Sequence, residues 1–257
     1  MLWVGDEVQC GLGRTGHFYA FEQYGVVPDV TALAKSLGGG KAAVGAMIAR
    51  SSVYMKAYGS PKTAMIHAQA TFGGMGEASI TAIEALNVLY DEQLMENAAA
   101  TGAYLIERLE ALKAKHPTII KDVRGQGFMI GLEFQDFSRT LPAVLRPMVG
   151  MLDDKLKGSL SGFVGAELLR DHDVLVAFTE YNRNVIRLEP PLICRREHVD
   201  RFVEAVSVGG FDDDRVGPWN RHRIGKQRVA IPAEVARKGH AAAAPFDGRA
   251  GRAENVA

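Results

Sequence analysis

Asp6 closes a short apolar run, Leu2-Trp3-Val4-Gly5, and Lys35 closes a second, Val30-Thr31-Ala32-Leu33-Ala34. In open α/β sheets, residues at the carboxyl ends of strands gather around ligands. A lysine among apolar neighbours is partly desolvated, which disfavours its ammonium and leaves an amine able to attack a carbonyl. Both residues also suit plainer roles. The lysine can reach water along its stem, and the aspartate can cap a turn.

Two glycine-rich stretches invite phosphate-binding readings and do not sustain them. Gly11-Leu12-Gly13-Arg14-Thr15-Gly16 matches G-x-G-x-x-G after a strand. A dinucleotide site needs a helix to follow directly and an acidic residue at the end of the next strand. Here an aromatic-rich stretch comes next, and Asp29 precedes the following apolar strand. A tight loop exploiting glycine's positive φ is the better reading. Gly38-Gly39-Gly40-Lys41 lacks the phosphate-loop spacing, and Ala42 comes after the lysine.

The elements that must position these residues alternate. Leu2 to Val4 reads as a buried strand, and Val30 to Ala34 and Val44 to Ala49 as further strands. Phe18 to Tyr24 suits a short helix or an irregular segment. From Gly76 the apolar positions Ile80, Ile83, Ala85, Leu86, Leu89 and Tyr90 recur at helical spacing. Ala98 to Lys115 repeats that pattern and is closed by Pro117. Phe128 to Phe134 is a strand. Leu168 to Val176 predicts a helix running into a strand, and Val185 to Leu188 is a strand stopped by Pro190-Pro191. Glu197 to Val208 predicts a last amphipathic helix. The class is α/β, with the helices between residues 80 and 115 dividing two lobes. No periodicity remains from about Gly209, and residues 209–257 are expected to be a disordered tail.

The 257 residues carry no net charge, with pI about 7.1, so neither nucleic acid nor an anionic membrane is an expected partner. Two cysteines, Cys10 and Cys194, are too few for a disulfide framework or metal cluster. No signal peptide is evident at Met1, and a reducing, cytoplasmic setting is expected. The chain opens inside a strand, so further sequence upstream is expected.

Taken in order, the motifs are similar to the signature of class III aminotransferases, fold-type-I enzymes dependent on pyridoxal 5'-phosphate. They are Asp6-Glu7-Val8-Gln9, Gly11 to Gly16, Pro28-Asp29, Ala34-Lys35-Ser36-Leu37-Gly38-Gly39-Gly40 and Thr71-Phe72-Gly73-Gly74. Val123-Arg124-Gly125-Gln126-Gly127, Gly131-Leu132-Glu133 and Ile186-Arg187-Leu188-Glu189-Pro190-Pro191-Leu192 complete the series. The likeness runs from residue 1 to about 208. It implies part of a large α/β cofactor-binding domain over 1–95 and a small α/β C-terminal domain over 96–208.

The resemblance implies a ping-pong transfer of an amino group from an amine or amino acid to a 2-oxo acid. Lys35 would form the Schiff base with the cofactor and shuttle the proton at substrate Cα. Asp6 would keep the ring nitrogen protonated. Val8 would pack on the ring, and Gln9 would bond its phenolic oxygen. Thr71 would reach the cofactor phosphate of a neighbouring subunit, making a homodimer part of the mechanism. Arg187 would hold the substrate carboxylate, with a structural ion pair to Glu189 as its plainer role. His67 would at most orient the Thr71 loop, no thiol chemistry is expected of Cys10, and Asp153-Asp154-Lys155 suits a solvated helix face. The family's front half, which carries its phosphate cradle and ring-stacking aromatic, has no counterpart here. A non-catalytic fragment therefore stays open, as does an aminomutase or racemase. The Ile186 to Leu192 stretch is most like putrescine and acetylornithine enzymes, and Gly74-Met75-Gly76-Glu77 departs from the usual family pattern.

Overall fold

The computed structural model describes residues 1–67, 71–136 and 159–210. Two sheets organise them. In the first, β1 (Val4–Asp6) pairs in parallel with β2 (Val30–Leu33), which pairs antiparallel with β3 (Ala46–Ala49). A 3-10 turn, Ala20–Tyr24, lies between β1 and β2, and a second, Lys35–Gly38, comes directly after β2. Helices α1 (Ser51–Tyr58) and α2 (Pro61–His67) come next, then α3 (Gly76–Asp91) and α4 (Leu94–Lys115).

The second sheet is antiparallel, in the order β4-β5-β7-β6. Its strands are β4 (Ile120–Gln126), β5 (Met129–Phe134), β6 (Ala177–Phe178) and β7 (Val185–Leu188). Helices α5 (Ser159–His172) and α6 (Arg196–Gly210) complete the described elements.

A small core joins Leu12, Leu33, Leu37 and Ala82, with Phe18, Tyr19, Val44 and Leu86 packed against it. The larger core unites one face of the second sheet with the three helices α4, α5 and α6. Leu109 of α4, Ile130 and Leu132 of β5, Ile186 of β7, Leu168 of α5 and Val206 of α6 are nearly inaccessible there. Burying a leucine or isoleucine completely is worth about 1.5–3 kcal/mol, so this cluster anchors the C-terminal elements. On α4, Leu105, Leu109 and Leu112 form the buried stripe that the spacing predicts. Glu96 in its first turn and Lys113 and Lys115 in its last complement the helix dipole.

Several expectations need correction. Leu2, Trp3 and Val4 are exposed rather than buried. β1 lies at the edge of its sheet, bonded on one side to β2, and shields little of itself. On α3, Leu89 is buried, but Ile80, Ile83 and Tyr90 are exposed. The packed face turns instead on Ala78 and Ala82, because small residues let α3 approach the Lys35–Gly38 turn closely. A Cβ added at Gly39 would sit 3.1 Å from Ala85 Cβ. Helices α1 and α2 and strand β4 were not anticipated. Asp153-Asp154-Lys155, and the expected tail beyond Gly210, lie outside the described residues.

The other face of the second sheet is charged. Glu133 of β5 is buried yet accepts from Lys121 Nζ and Arg124 Nη1, each at 2.6 Å. Burial alone would raise its carboxyl pKa. Hydrogen bonds from Lys121, Arg124 and Asn182 outweigh that and hold it at about 2, below the ordinary 4.5. A carboxyl lowered on folding stabilises fully above its unfolded value and loses that contribution as pH falls toward 2. Glu133→Gln is therefore expected to cost about 1–2 kcal/mol at neutral pH, a modest figure because both cations are half-exposed. Urea titrations should show the gap between wild type and variant closing between pH 4.5 and 2. A gap independent of pH would mean that packing, not charge, holds Glu133.

Candidate active site

The parallel register sets Asp6 opposite Ala32, three residues before Lys35. Asp6 and Lys35 therefore leave the carboxyl ends of adjacent parallel strands and share one rim of the sheet. Lys35 opens the 3-10 turn with φ of 50°, in the left-handed region that favours glycine. For a lysine this costs on the order of 1 kcal/mol, and such strain concentrates at functional positions. The turn is pinned by buried Leu37 and ends at Gly39, also left-handed. Lys35 is exposed, which corrects the expected partial desolvation. Its position after the strand, on the outside of a tight turn, carries it clear of the apolar neighbours.

Asp6 is also exposed, and its Oδ1 accepts the Val8 N–H at 3.1 Å, so the turn-capping role is realised. Cys10, half-buried, donates its thiol to Asp6 O at 3.4 Å. Burial first, and then Glu7, pushes that thiol up to about 11.

Gln9 and Arg187 meet at one carboxylate. Gln9 Nε2 donates to Glu189 Oε1 at 2.6 Å, and Arg187 Nε lies 3.2 Å from the same oxygen. The Arg187–Glu189 pair has the separation of an ion pair but not hydrogen-bond alignment, and Nε is a buried donor without a hydrogen-bond partner. Arg187 stands mid-strand in β7, in register with Gly131 on one side and Ala177 on the other. Thr71 sits in an exposed turn after α2, and among the described residues no hydrogen bond ties it to the others. His67 ends α2, and its side chain lies outside the described residues.

The loops that bring these parts together were only partly legible. Glu7, which the sequence marks only as a member of the Asp6-to-Gln9 motif, is buried and accepts the N–H groups of Ala20 at 2.9 Å and Phe21 at 3.2 Å. It thereby satisfies the open end of the 3-10 turn. No local pattern signals this, because the partners lie thirteen and fourteen residues away. Arg14 donates to the Pro190 carbonyl, and its own carbonyl accepts the Phe128 N–H at 2.8 Å, tying the glycine loop to both the β4–β5 turn and the proline turn. Burial pulls the Arg14 guanidinium below its ordinary pKa, while Glu189 opposes the shift. Asn97 of α4 donates to the carbonyls of Leu192 at 2.6 Å and Cys194 at 2.9 Å.

Gly13 and Gly16, at φ of 87° and 90°, confirm a tight loop instead of a dinucleotide fingerprint. The loop leads into the Ala20–Tyr24 turn and not into an α-helix. Three segments converge here. Gly16 abuts Ala99 of α4, and Gly127 is wedged between Thr15 and Gly102.

Comparison with known proteins identifies the family. The family pattern described as Aminotransferase class-III matches residues 1–208. The chain is 35% identical over 203 residues to the putrescine aminotransferase of Pectobacterium atrosepticum, spanning 79% of this chain and 38% of that protein. It is 32% identical over 235 residues to the aminotransferase PigE of a Serratia species, spanning 80% of this chain and 27% of that protein. The chain thus spans well under half the length of these relatives. Among solved structures, an amine transaminase from an uncultivated Pseudomonas species superposes with a TM-score of 0.66 at 29% identity. That match covers 81% of this chain and 44% of the other. The described residues carry part of the fold of pyridoxal-phosphate-dependent aminotransferases, and the chain belongs to the class III aminotransferases.

Proposed function

We propose that this chain supplies the lysine-bearing part of a transaminase that moves an amino group from an amine or amino acid to a 2-oxo acid. The observation that carries this reading is the shared rim of Asp6 and Lys35, at the carboxyl ends of paired parallel strands. The class works with pyridoxal phosphate, and the donor set fits it. An exposed primary amine can hold the aldehyde carbon, and a carboxylate on the same rim can hold a protonated ring nitrogen.

When bound, pyridoxal phosphate would supply an electron sink as the substrate Cα proton leaves. Lys35 takes that Cα proton and returns it. Asp6 keeps the ring nitrogen protonated. Val8, half-buried beside Asp6, packs on the ring, and Gln9 lends its amide to the phenolic oxygen. Arg187 receives the carboxylate of the 2-oxo acid through its planar donor set. Thr71, exposed in its turn, reaches the cofactor phosphate of a second copy, so the working unit is a homodimer. Residues 1–95 belong to the large domain and 96–208 to the small one. Among the described residues no helix is long and apolar enough to cross a membrane, and the setting we propose is cytoplasmic.

The test is spectroscopic. An amine or amino acid added alone to the cofactor-loaded chain should shift the cofactor absorbance, and a 2-oxo acid added afterwards should restore it. A folded, loaded chain that shows no shift with any donor would sink the reading. Product formed without a 2-oxo acid would replace it with an aminomutase or racemase.

A further inference from the structure

Pro28-Asp29 has no part in the chemistry assigned to the rim, yet it stands at the entry to the strand that leads to Lys35. The partner strand β1 needs something to fix it. It has three residues, its bonded neighbour among the described residues is β2, and Val4 is exposed. A strand with no buried face has little in its own pattern to choose a register. A slip of two residues against β2 would carry Asp6 roughly 6–7 Å along the sheet from its place beside Ala32.

The pairing of Val4 with Val30, continued one residue back, sets Trp3 against Asp29. A regular parallel ladder would bond the Trp3 N–H to the carbonyl of residue 28. Pro28 O instead accepts from Arg50 Nε at 3.4 Å, and the Trp3 N–H donates to Asp29 Oδ2 at 2.9 Å. The Asp29 N–H in turn donates to Trp3 O, also at 2.9 Å. Asp29 thus engages both main-chain polar groups of Trp3. It is itself fixed from the other side. Its carbonyl accepts the Arg50 N–H at 2.9 Å, and Arg50 Nε lies 3.3 Å from Asp29 Oδ1. Arg50 directly follows β3, so Asp29 gathers the start of β1 and the end of β3 onto the entry to β2. Pro28 adds a steric stop, since a Cβ added to Gly5, the residue before Asp6, would meet Pro28 Cγ at 2.8 Å.

We propose that Asp29 is a positioning residue for the rim: its carboxylate, on the Trp3 N–H, locks the register of β1 on β2 and so sets Asp6 against Lys35. The two oxygens divide the work, with Oδ2 on the strand and Oδ1 on Arg50. Asparagine keeps an acceptor for Trp3 and gives up the ion pair, which is partly exposed and adds little. Alanine gives up both. The large core on α4, β5 and β7 includes none of these residues, so both variants are expected to fold.

This inference rests on the transaminase reading for its meaning, but its first test does not. In native-state hydrogen exchange of the full chain, the Glu7 amide reports on the rim. It donates to Ala32 O at 3.0 Å, just past β1 and at the opposite end of the strand from Asp29. Asp29→Ala should speed its exchange about tenfold, while Asp29→Asn stays within about twofold of wild type. The amides of Leu109 in α4 and Ile130 in β5 should keep their wild-type rates in both variants. A folded Asp29→Ala with wild-type exchange at Glu7 overturns the proposal. So does an equal acceleration at Leu109 and Ile130, which marks a role in overall stability alone. In the loaded enzyme, Asp29→Ala should lower kcat about tenfold with KM for the amino donor little changed, and Asp29→Asn should keep near wild-type kcat. Equal losses of kcat in the two variants also overturn it. A wild-type chain that transfers no amino group would remove the transaminase reading and leave the exchange test of the register lock intact.

Discussion

Lys35→Ala is expected to leave a folded protein that no longer takes up cofactor covalently and loses on the order of 10³-fold or more in amino transfer. On the proposed function the amine would be both the attachment point and the base for the Cα proton, so one substitution would remove two roles. The fold should not notice. Lys35 is exposed, and alanine at φ of 50° carries much the same backbone penalty as lysine. Incubation with pyridoxal phosphate, borohydride reduction and peptide mass spectrometry should place one adduct on Lys35 in wild type and none in the variant. Circular dichroism of the two should superpose. Labelling scattered over surface lysines of a folded wild-type chain would show that the Asp6–Lys35 rim does not select the cofactor.

The largest expected effect on stability belongs to Gly102, deep in α4 and absent from any sequence motif. A Cβ there would stand 2.6 Å from the Gly127 Cα and nearer still to its carbonyl carbon and oxygen. These are backbone atoms, so no side chain can swing aside. Gly127 cannot retreat either, because at φ of 53° it already abuts Thr15 and the Arg14 carbonyl. Gly102→Ala is expected to cost about 3 kcal/mol and Gly102→Val more, toward the upper range for overpacking. Gly162 in α5 provides the contrast, with nothing within 4 Å of its added Cβ. Gly162→Ala should stabilise the chain by roughly 0.5–1 kcal/mol through helix propensity. Urea midpoints for the three proteins test this. A loss below about 1 kcal/mol at Gly102 would mean that α4 and Gly127 can separate without disturbing their neighbours.

Much of this architecture was legible because it is periodic. The long apolar stripe of α4, the strand at β7 and the last helix each carry enough repeats to reveal themselves. The rim was legible from order: Asp6, then Lys35, each at the end of an apolar run. What escaped lacks local signature. β4 alternates weakly because Arg124 donates both to Asp122 on its own strand and to Glu133 across the sheet, so charged residues interrupt its apolar pattern. β1 reads as core by composition, yet burial is a property of what packs on a strand and not of the strand. α3 carries two apolar faces, and the smaller residues chose which one packs. The coupling of Gln9 to Glu189 could not be read at all, since spacing along a chain says nothing about contacts formed across two sheets.

That coupling also orders events in time. Gln9 and Glu189 are 180 residues apart, and Arg14 and Pro190 are 176 apart. Closing so long a loop before anything else has formed would cost about 4–5 kcal/mol of chain entropy. The contacts become affordable only after the intervening helices and strands have shortened the path. At about 5–20 residues per second, some 10–40 s of synthesis separate Gln9 from Glu189. During that interval the Asp6–Lys35 rim exists on the nascent chain before Gln9 and Arg14 have met their partners at Glu189 and Pro190.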